Sequence, residues 1–149
     1  MTVKLTGVRD FQTQMRKLGS SFNEAVENGV WVTAQEVRTY AIKSIQEASP
    51  GKPVKRQRQS GKGTRPHIAA AVGQAPNSDT GKLVASIPTD KIESGYRVGS
   101  NLPYATYLEF GTKKMGARPW LQPAVQANRK KLIENIQKVV DIYIDRLPK

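Results

Sequence analysis

The apolar positions of the chain fall into two long helical stripes separated by a region with a different period. Val30, Ala34, Val37, Ala41, Ile45 and Ala48 recur at steps of three and four, which keeps one face of a helix turned inward. The spacing predicts a helix over residues 22–48, about 40 Å long at ~1.5 Å per residue, stopped by Pro50 and Gly51. Ahead of it, Phe11, Met15 and Leu18 predict a shorter helix closed by Gly19. Ser20 or Ser21 would then cap the next helix, with Glu24 placed as in a capping box. Val3 and Leu5 alternate with polar neighbours and read as a short edge strand over residues 2–5. At the other end Val125, Leu132, Ile136, Val139, Tyr143 and Leu147 form the second stripe, widened by Ile133, Val140 and Ile144.

Between the stripes the period shortens. Leu83, Ala85 and Ile87 alternate with Val84 and Ser86, which predicts a strand over residues 82–88. Glu93-Ser94-Gly95 is a turn signal, and residues 96–99 read as the returning strand. Tyr104, Tyr107 and Leu108 predict a short amphipathic helix over residues 104–110, with Gly111 where a left-handed terminus favours a residue without Cβ. Lys113 and Lys114 lead into a turn at Met115 and Gly116. Pro119 and Pro123 cannot both lie deep in one helix. The pattern therefore predicts a one-turn segment at 119–122, with Gln122 as cap and Pro123 at the first position of the last helix. The fold class is α+β: a small antiparallel sheet with a long N-terminal helix and a long C-terminal helix, in one domain over 1–149.

Residues 49–77 fit neither period. They hold Gly, Pro, Ser and Gln among charges, with a single apolar run at 67–72. They read as a long, flexible basic loop, because such a stretch buries too little to offset its conformational entropy. Composition agrees. The apolar fraction is 38%, below the typical ~45–50%, so either the core is small or part of the chain lies outside it. Net charge is +12, from 24 basic and 12 acidic residues. Lys52, Lys55, Arg56, Arg58, Lys62 and Arg65 supply half of that excess, with no acid between Pro50 and Pro66. Such a balance favours a polyanionic partner, either nucleic acid or an acidic protein face.

Enzymatic chemistry finds little support. Gly61-Lys62-Gly63-Thr64 lacks the upstream glycine spacing of a phosphate-binding loop. His67 is the only histidine and has no second ligand to share a metal; it reads as an incidental loop residue. Acidic residues are scattered and cysteine is absent, so no catalytic, cofactor or metal site is expected. The absence of cysteine suits a reducing cytoplasm, and neither a leader peptide nor a membrane span is expected. Glu109 lies between Leu108 and Phe110, where a carboxylate is costly to bury unpaired. Arg118 is its natural partner; the alternative leaves both charges in water.

Several runs resemble one family. Pro103-Tyr104-Ala105, Leu108-Glu109-Phe110-Gly111-Thr112, Met115, Ala117-Arg118-Pro119-Trp120-Leu121 and Pro123-Ala124 are similar to the tail-completion, or head–tail joining, proteins of phages with long non-contractile tails. The likeness is to the gene-product-ten-like tail component of HK-ninety-seven-type siphophages. Thr80-Gly81-Lys82-Leu83, Ser86-Ile87 and Val98-Gly99-Ser100-Asn101 follow the same pattern in the same order. Trp120 stands where the family more often has phenylalanine. The likeness covers residues 80–124 well and the flanking helices in outline.

The resemblance implies a non-enzymatic virion protein of the neck or tail, assembled in the host cytoplasm. Its implied partners are copies of itself in a ring, the neighbouring head–tail connector, tail terminator or tail tube proteins, and loose contact with channel DNA. The competing expectation is a nucleic-acid-binding protein that uses the basic stretch 50–66. A small basic nuclease is a third class.

Overall fold

In a computed structural model of the chain, the structure describes residues 8–145, with side chains from Arg16 onward. Helix α1 runs over Val8–Gln46. An antiparallel hairpin follows, β1 (Gly51–Gln57) paired with β2 (Thr64–Ala70). Next come the short helix α2 (Lys82–Ala85) and a second antiparallel hairpin, β3 (Thr89–Ile92) with β4 (Gly95–Val98). Helices α3 (Pro103–Phe110) and α4 (Gln122–Asp145) are the last described elements. The fold is α+β, with long helices near both ends, and among the described residues the strands form two separate two-stranded sheets.

The expected edge strand at 2–5 lies outside the described residues. The expected break at Gly19 does not occur, and α1 passes through it without interruption. A glycine inside a helix costs about 1 kcal/mol against alanine, which a helix of 39 residues absorbs. Residues 82–88 are likewise not a strand. Leu83 and Ile87 are buried while Ala85 is exposed, so the relevant spacing is four rather than two. Gly81 enters α2 at φ 73, a conformation that glycine adopts without strain. Residues 119–122 form no helical turn; α4 begins at Gln122, with Pro123 in its first turn, where no helical N–H is lost.

The chain divides into two compact units. One consists of residues up to Thr33 and from Lys130 onward. Its seam is made of small residues: Ala25, Gly29 and Thr33 recur every four positions and are buried. A Cβ on Gly29 would lie 2.8 Å from the Ile136 Cα, so glycine sets how closely the two helices approach. The Thr33 hydroxyl donates to the Gly29 carbonyl at 3.0 Å and accepts from the Asn135 amide at 3.1 Å. The Tyr143 hydroxyl donates to the Leu18 carbonyl at 3.3 Å.

The second unit, residues 34–129, holds the main core. Val37, Ala41 and Ile45 of α1 meet Leu83, Ile87, Ala105, Trp120 and Ala124. The predicted stripe on α1 is therefore the buried one from Ala34 to Ile45, and Ala48 falls outside it. Arg38 donates its Nε to the Ile87 carbonyl at 2.7 Å, which satisfies the chain as it leaves α2. On α4 the buried positions are Ala124 and Asn128, whereas Val125 and Ile133 are exposed.

Candidate functional site

The segment joining α3 to α4 is organised by two charged side chains that bind backbone. Glu109 is buried, with 8% of its surface exposed. Its Oε2 accepts from the Trp120 and Leu121 N–H groups at 2.8 and 3.0 Å, and its Oε1 from the Gln122 N–H at 2.8 Å. These groups stand at the start of α4, where N–H groups have no intrahelical acceptor and the helix dipole favours a negative charge. Arg118 is turned elsewhere. Its Nε donates to the Ala70 carbonyl at 2.7 Å and its Nη1 to the Gly116 carbonyl at 3.3 Å, while its own N–H donates to the Leu108 carbonyl at 2.7 Å. The expected Glu109–Arg118 ion pair is thus not formed. Three converging N–H groups satisfy the carboxylate without a cation, and the guanidinium closes the free edge of β2.

The rest of the motif supports that joint. Gly111 has φ 76, and a Cβ there would lie 2.7 Å from the Met115 carbonyl oxygen. Thr112 and Met115 close a tight turn through their backbones, and the Thr112 hydroxyl accepts the Lys114 and Met115 N–H groups. Gly116 lies against the Val72 side chain, and the Ala117 carbonyl accepts the Gly73 N–H at 2.8 Å. Trp120 is 2% exposed. Leu108 and Leu121 pack against the core, and Pro119 and Pro123 are half-buried. Phe110 is the exception, with 74% of its surface exposed, and Tyr107 and Tyr104 on the same helix are exposed as well.

The basic stretch is a hairpin, which corrects the expectation of a structureless loop. Arg58 donates its N–H to the Gly63 carbonyl at 3.0 Å, and Gly61 and Gly63 both adopt positive φ in the turn. The Ala71 N–H bonds to the Pro50 carbonyl, so odd-numbered residues of β2 face β1 and even-numbered ones face outward. Pro53 and Pro66 both occupy outward positions, where the missing N–H removes no ladder bond. The outward carbonyls of Ile68 and Ala70 are taken by the Asn77 amide and by Arg118. Asn77 also brackets Ser49, accepting its N–H at 2.6 Å and donating to its carbonyl at 2.9 Å. The sequence signal for this hairpin was the pair of glycines between two prolines, not apolar alternation.

Beside the hairpin base lies a cavity of about 650 Å³, whose lining includes His67, Asp79, Tyr104, Tyr107, Met115 and Arg118. Asp79 pairs with Arg65 and stands 3.5 Å from the His67 Nδ1, so His67 is held against a carboxylate in the folded chain. Burial, and then the Asp79 charge, push the Tyr104 phenol above its ordinary value. Lys52, Lys55, Arg56, Arg58 and Lys62 remain exposed, and Arg65 alone of the six basic residues is drawn inward. Among the described residues no group of three or more His, Cys, Asp or Glu side chains is placed to hold a metal ion.

Charged groups that bind their own backbone, around a joint between two helices, make an architectural site. The class is that of a structural phage tail protein. The chain belongs to the family described as "Bacteriophage HK97-gp10, putative tail-component", whose model matches residues 9–111. The match takes in most of α1 and ends at Gly111, so the likeness extends further toward the N-terminus than the central motif, whose final residues lie beyond it. No curated protein and no solved structure matches the chain. Among the described residues no helix is long and apolar enough to cross a membrane.

Proposed function

We propose that the protein completes the end of the tail or joins tail to head, as one subunit of a closed ring around the path of the DNA. The carrying observation is the exposed aromatic face of α3. Phe110, Tyr107 and Tyr104 project from a helix whose other side is fixed in the core, on a short segment that the Glu109 joint holds rigid. Large exposed aromatics on a rigid element are typical anchors of protein interfaces. Family membership supplies the setting, a phage tail. The protein then lies in the virion after assembly in the host cytoplasm, and it acts by contact rather than by catalysis.

A ring requires a heterologous interface, in which two different patches meet. One candidate patch is the turn 112–116 with Phe110 beside it. The other lies toward the N-terminal end of the long helix α1, where Phe22 is exposed. The neighbours above and below the ring would be the head–tail connector and the tail terminator or tail tube. Deleting the gene and imaging the lysate by electron microscopy tests the reading. Filled heads and separate or abnormally ended tails are expected; normal joined particles would refute it. Reconstruction of the assembled neck tests the ring, which a single off-axis copy would exclude.

A further inference from the structure

We propose that the β1–β2 hairpin is a DNA arm, which rests against the phosphates of duplex DNA without reading its sequence. The inference deepens the ring reading above and rests on it for the presence of DNA nearby.

Five cations carry the argument: Lys52, Lys55, Arg56, Arg58 and Lys62, all exposed. Among the described residues none of the five meets a carboxylate; the one acid near the hairpin, Asp79, is engaged by Arg65 and His67. The cations are not confined to one face. Lys52 and Arg56 share the side of β1 that carries Arg65 and His67, where Arg56 also lines the cavity; Lys55 points to the other side, and Lys62 lies in the turn. A flat acidic protein surface would meet only one side of such a ribbon. An anionic environment that surrounds the arm, such as a groove between two phosphate strands, meets both. The major groove of duplex DNA, about 12 Å wide, admits a two-stranded ribbon.

The apolar content argues in the same direction. Protein interfaces bury an apolar centre and are depleted in lysine there. From Gly51 to Pro66 the hairpin has no aromatic residue, and Val54, its one aliphatic side chain beyond proline, is half-buried. Without an aromatic to stack on bases, contact is limited to phosphates. Such contact holds DNA loosely and lets it slide. The body holds the arm along β2: Asn77 and Arg118 fasten its base, and Asp79 pairs with Arg65 and stands 3.5 Å from the His67 Nδ1, which leaves β1 and the turn as the free part.

The experiment is fluorescence anisotropy of a short labelled duplex with the purified full-length protein, in a salt titration. Log affinity should fall linearly with log salt, with a slope of about −4 to −5 if all five cations neutralise phosphates. Between 50 and 200 mM salt that is a loss of roughly 10²–10³-fold. Replacing the five cations with Ser should bring the slope close to zero. A control that removes three positive charges elsewhere, Arg129→Ser with Lys130→Ser and Lys131→Ser, should leave the slope unchanged. Two duplexes of unrelated sequence should bind within about twofold of each other. The proposal is overturned if the wild type fails to bind at 50 mM salt or if the five-Ser protein keeps the wild-type slope. It is also overturned if poly-glutamate binds as tightly as DNA, which would point to an acidic protein partner. None of these results bears on whether heads and tails join, so failure here and failure of the ring reading are separable.

Discussion

The carboxylate of Glu109 holds the start of α4 through the backbone N–H of Trp120, at 2.8 Å. Leu121 and Gln122 donate to the same group, so one side chain from α3 holds the first residues of the next helix. Glu109→Ala leaves three donors without their acceptor, at about 1–3 kcal/mol for each one that water cannot reach. With two of the three only partly buried, a total of about 2–4 kcal/mol is expected. That corresponds to a melting temperature lower by roughly 5–15 °C for a chain of this size. Glu109→Gln keeps one acceptor oxygen but turns an NH₂ toward an N–H, and should fall between wild type and Ala. A melting curve within a degree of wild type for Glu109→Ala would show that the carboxylate does not hold the helix.

Three glycines should respond to alanine with different signs and sizes. At Gly19 a Cβ meets nothing within 4 Å, and the residue lies inside α1. Gly19→Ala should stabilise by about 0.5–1 kcal/mol. At Gly111 the backbone has φ 76 and a Cβ would collide with the Met115 carbonyl, so Gly111→Ala should destabilise by about 1–3 kcal/mol. At Gly29 a Cβ would lie 2.8 Å from the Ile136 Cα; here the helices must separate, and the loss should appear as unfolding of the unit that contains both. Chemical denaturation of the three variants checks the order, which fails if Gly19→Ala is the most damaging.

The aromatic face of α3 should matter for assembly and not for folding. Phe110 is 74% exposed, so Phe110→Ser should change stability by no more than about 0.5 kcal/mol. The same substitution should reduce the yield of joined particles when the altered gene complements a deletion. Full complementation would remove α3 from the interface.

Tyr104 carries a pH signature. Its phenol is raised by burial and, secondarily, by Asp79. Because the folded value lies above the unfolded value of about 10, the neutral phenol favours the folded state. That contribution is fully present below about pH 10 and is lost as pH rises through the folded value. Absorbance titration at alkaline pH should show a late-ionising tyrosine component, and Tyr104→Phe should remove it. Asp79→Asn should bring it partway down, since burial, the larger cause, remains.

What the chain made legible follows the size of its side chains. Helix α3, strand β4 and the inner face of α1 were readable because Leu, Ile, Val and Tyr recur there at a definite period. The seam of Ala25, Gly29 and Thr33 was not, since small and polar residues carry little hydropathy signal although they set helix spacing. Residues 82–88 misled because Leu83 and Ile87 fit both a period of two and a step of four; Ala85, exposed, decides between them. The hairpin was hidden because every β1 residue but Val54 is exposed and the half-buried positions of β2 are Arg65, His67 and Ala69, not large apolar residues at a period of two. Glu109 and Arg118 both stand at the joint but do not pair. Their partners are backbone groups, which no residue identity announces.

The hairpin should be stiff at its base and open at its turn. An isolated two-stranded ribbon is marginal in water, and here neither face is covered along β1, where every residue but Val54 is exposed. Ordering seven residues per strand is offset by ladder bonds, by anchors at the base and by the Asp79 contacts to Arg65 and His67 on β2. The base anchors are Asn77, which bonds Ser49 twice and Ile68 once, and Arg118, which bonds Ala70. Hydrogen exchange should therefore show a gradient. The Ala71 and Ser49 amides should be protected close to the level of the core, and amides from Gln57 to Thr64 should exchange quickly. Asn77→Ala should accelerate exchange over both strands while leaving α3 protected, because the Glu109 joint does not depend on it. On the DNA-arm reading, adding duplex DNA should slow exchange at the turn more than at the base. Uniform, core-level protection from Gly51 to Ala70 in the free protein would mean that the turn is held as firmly as the base, and that the hairpin is no free arm.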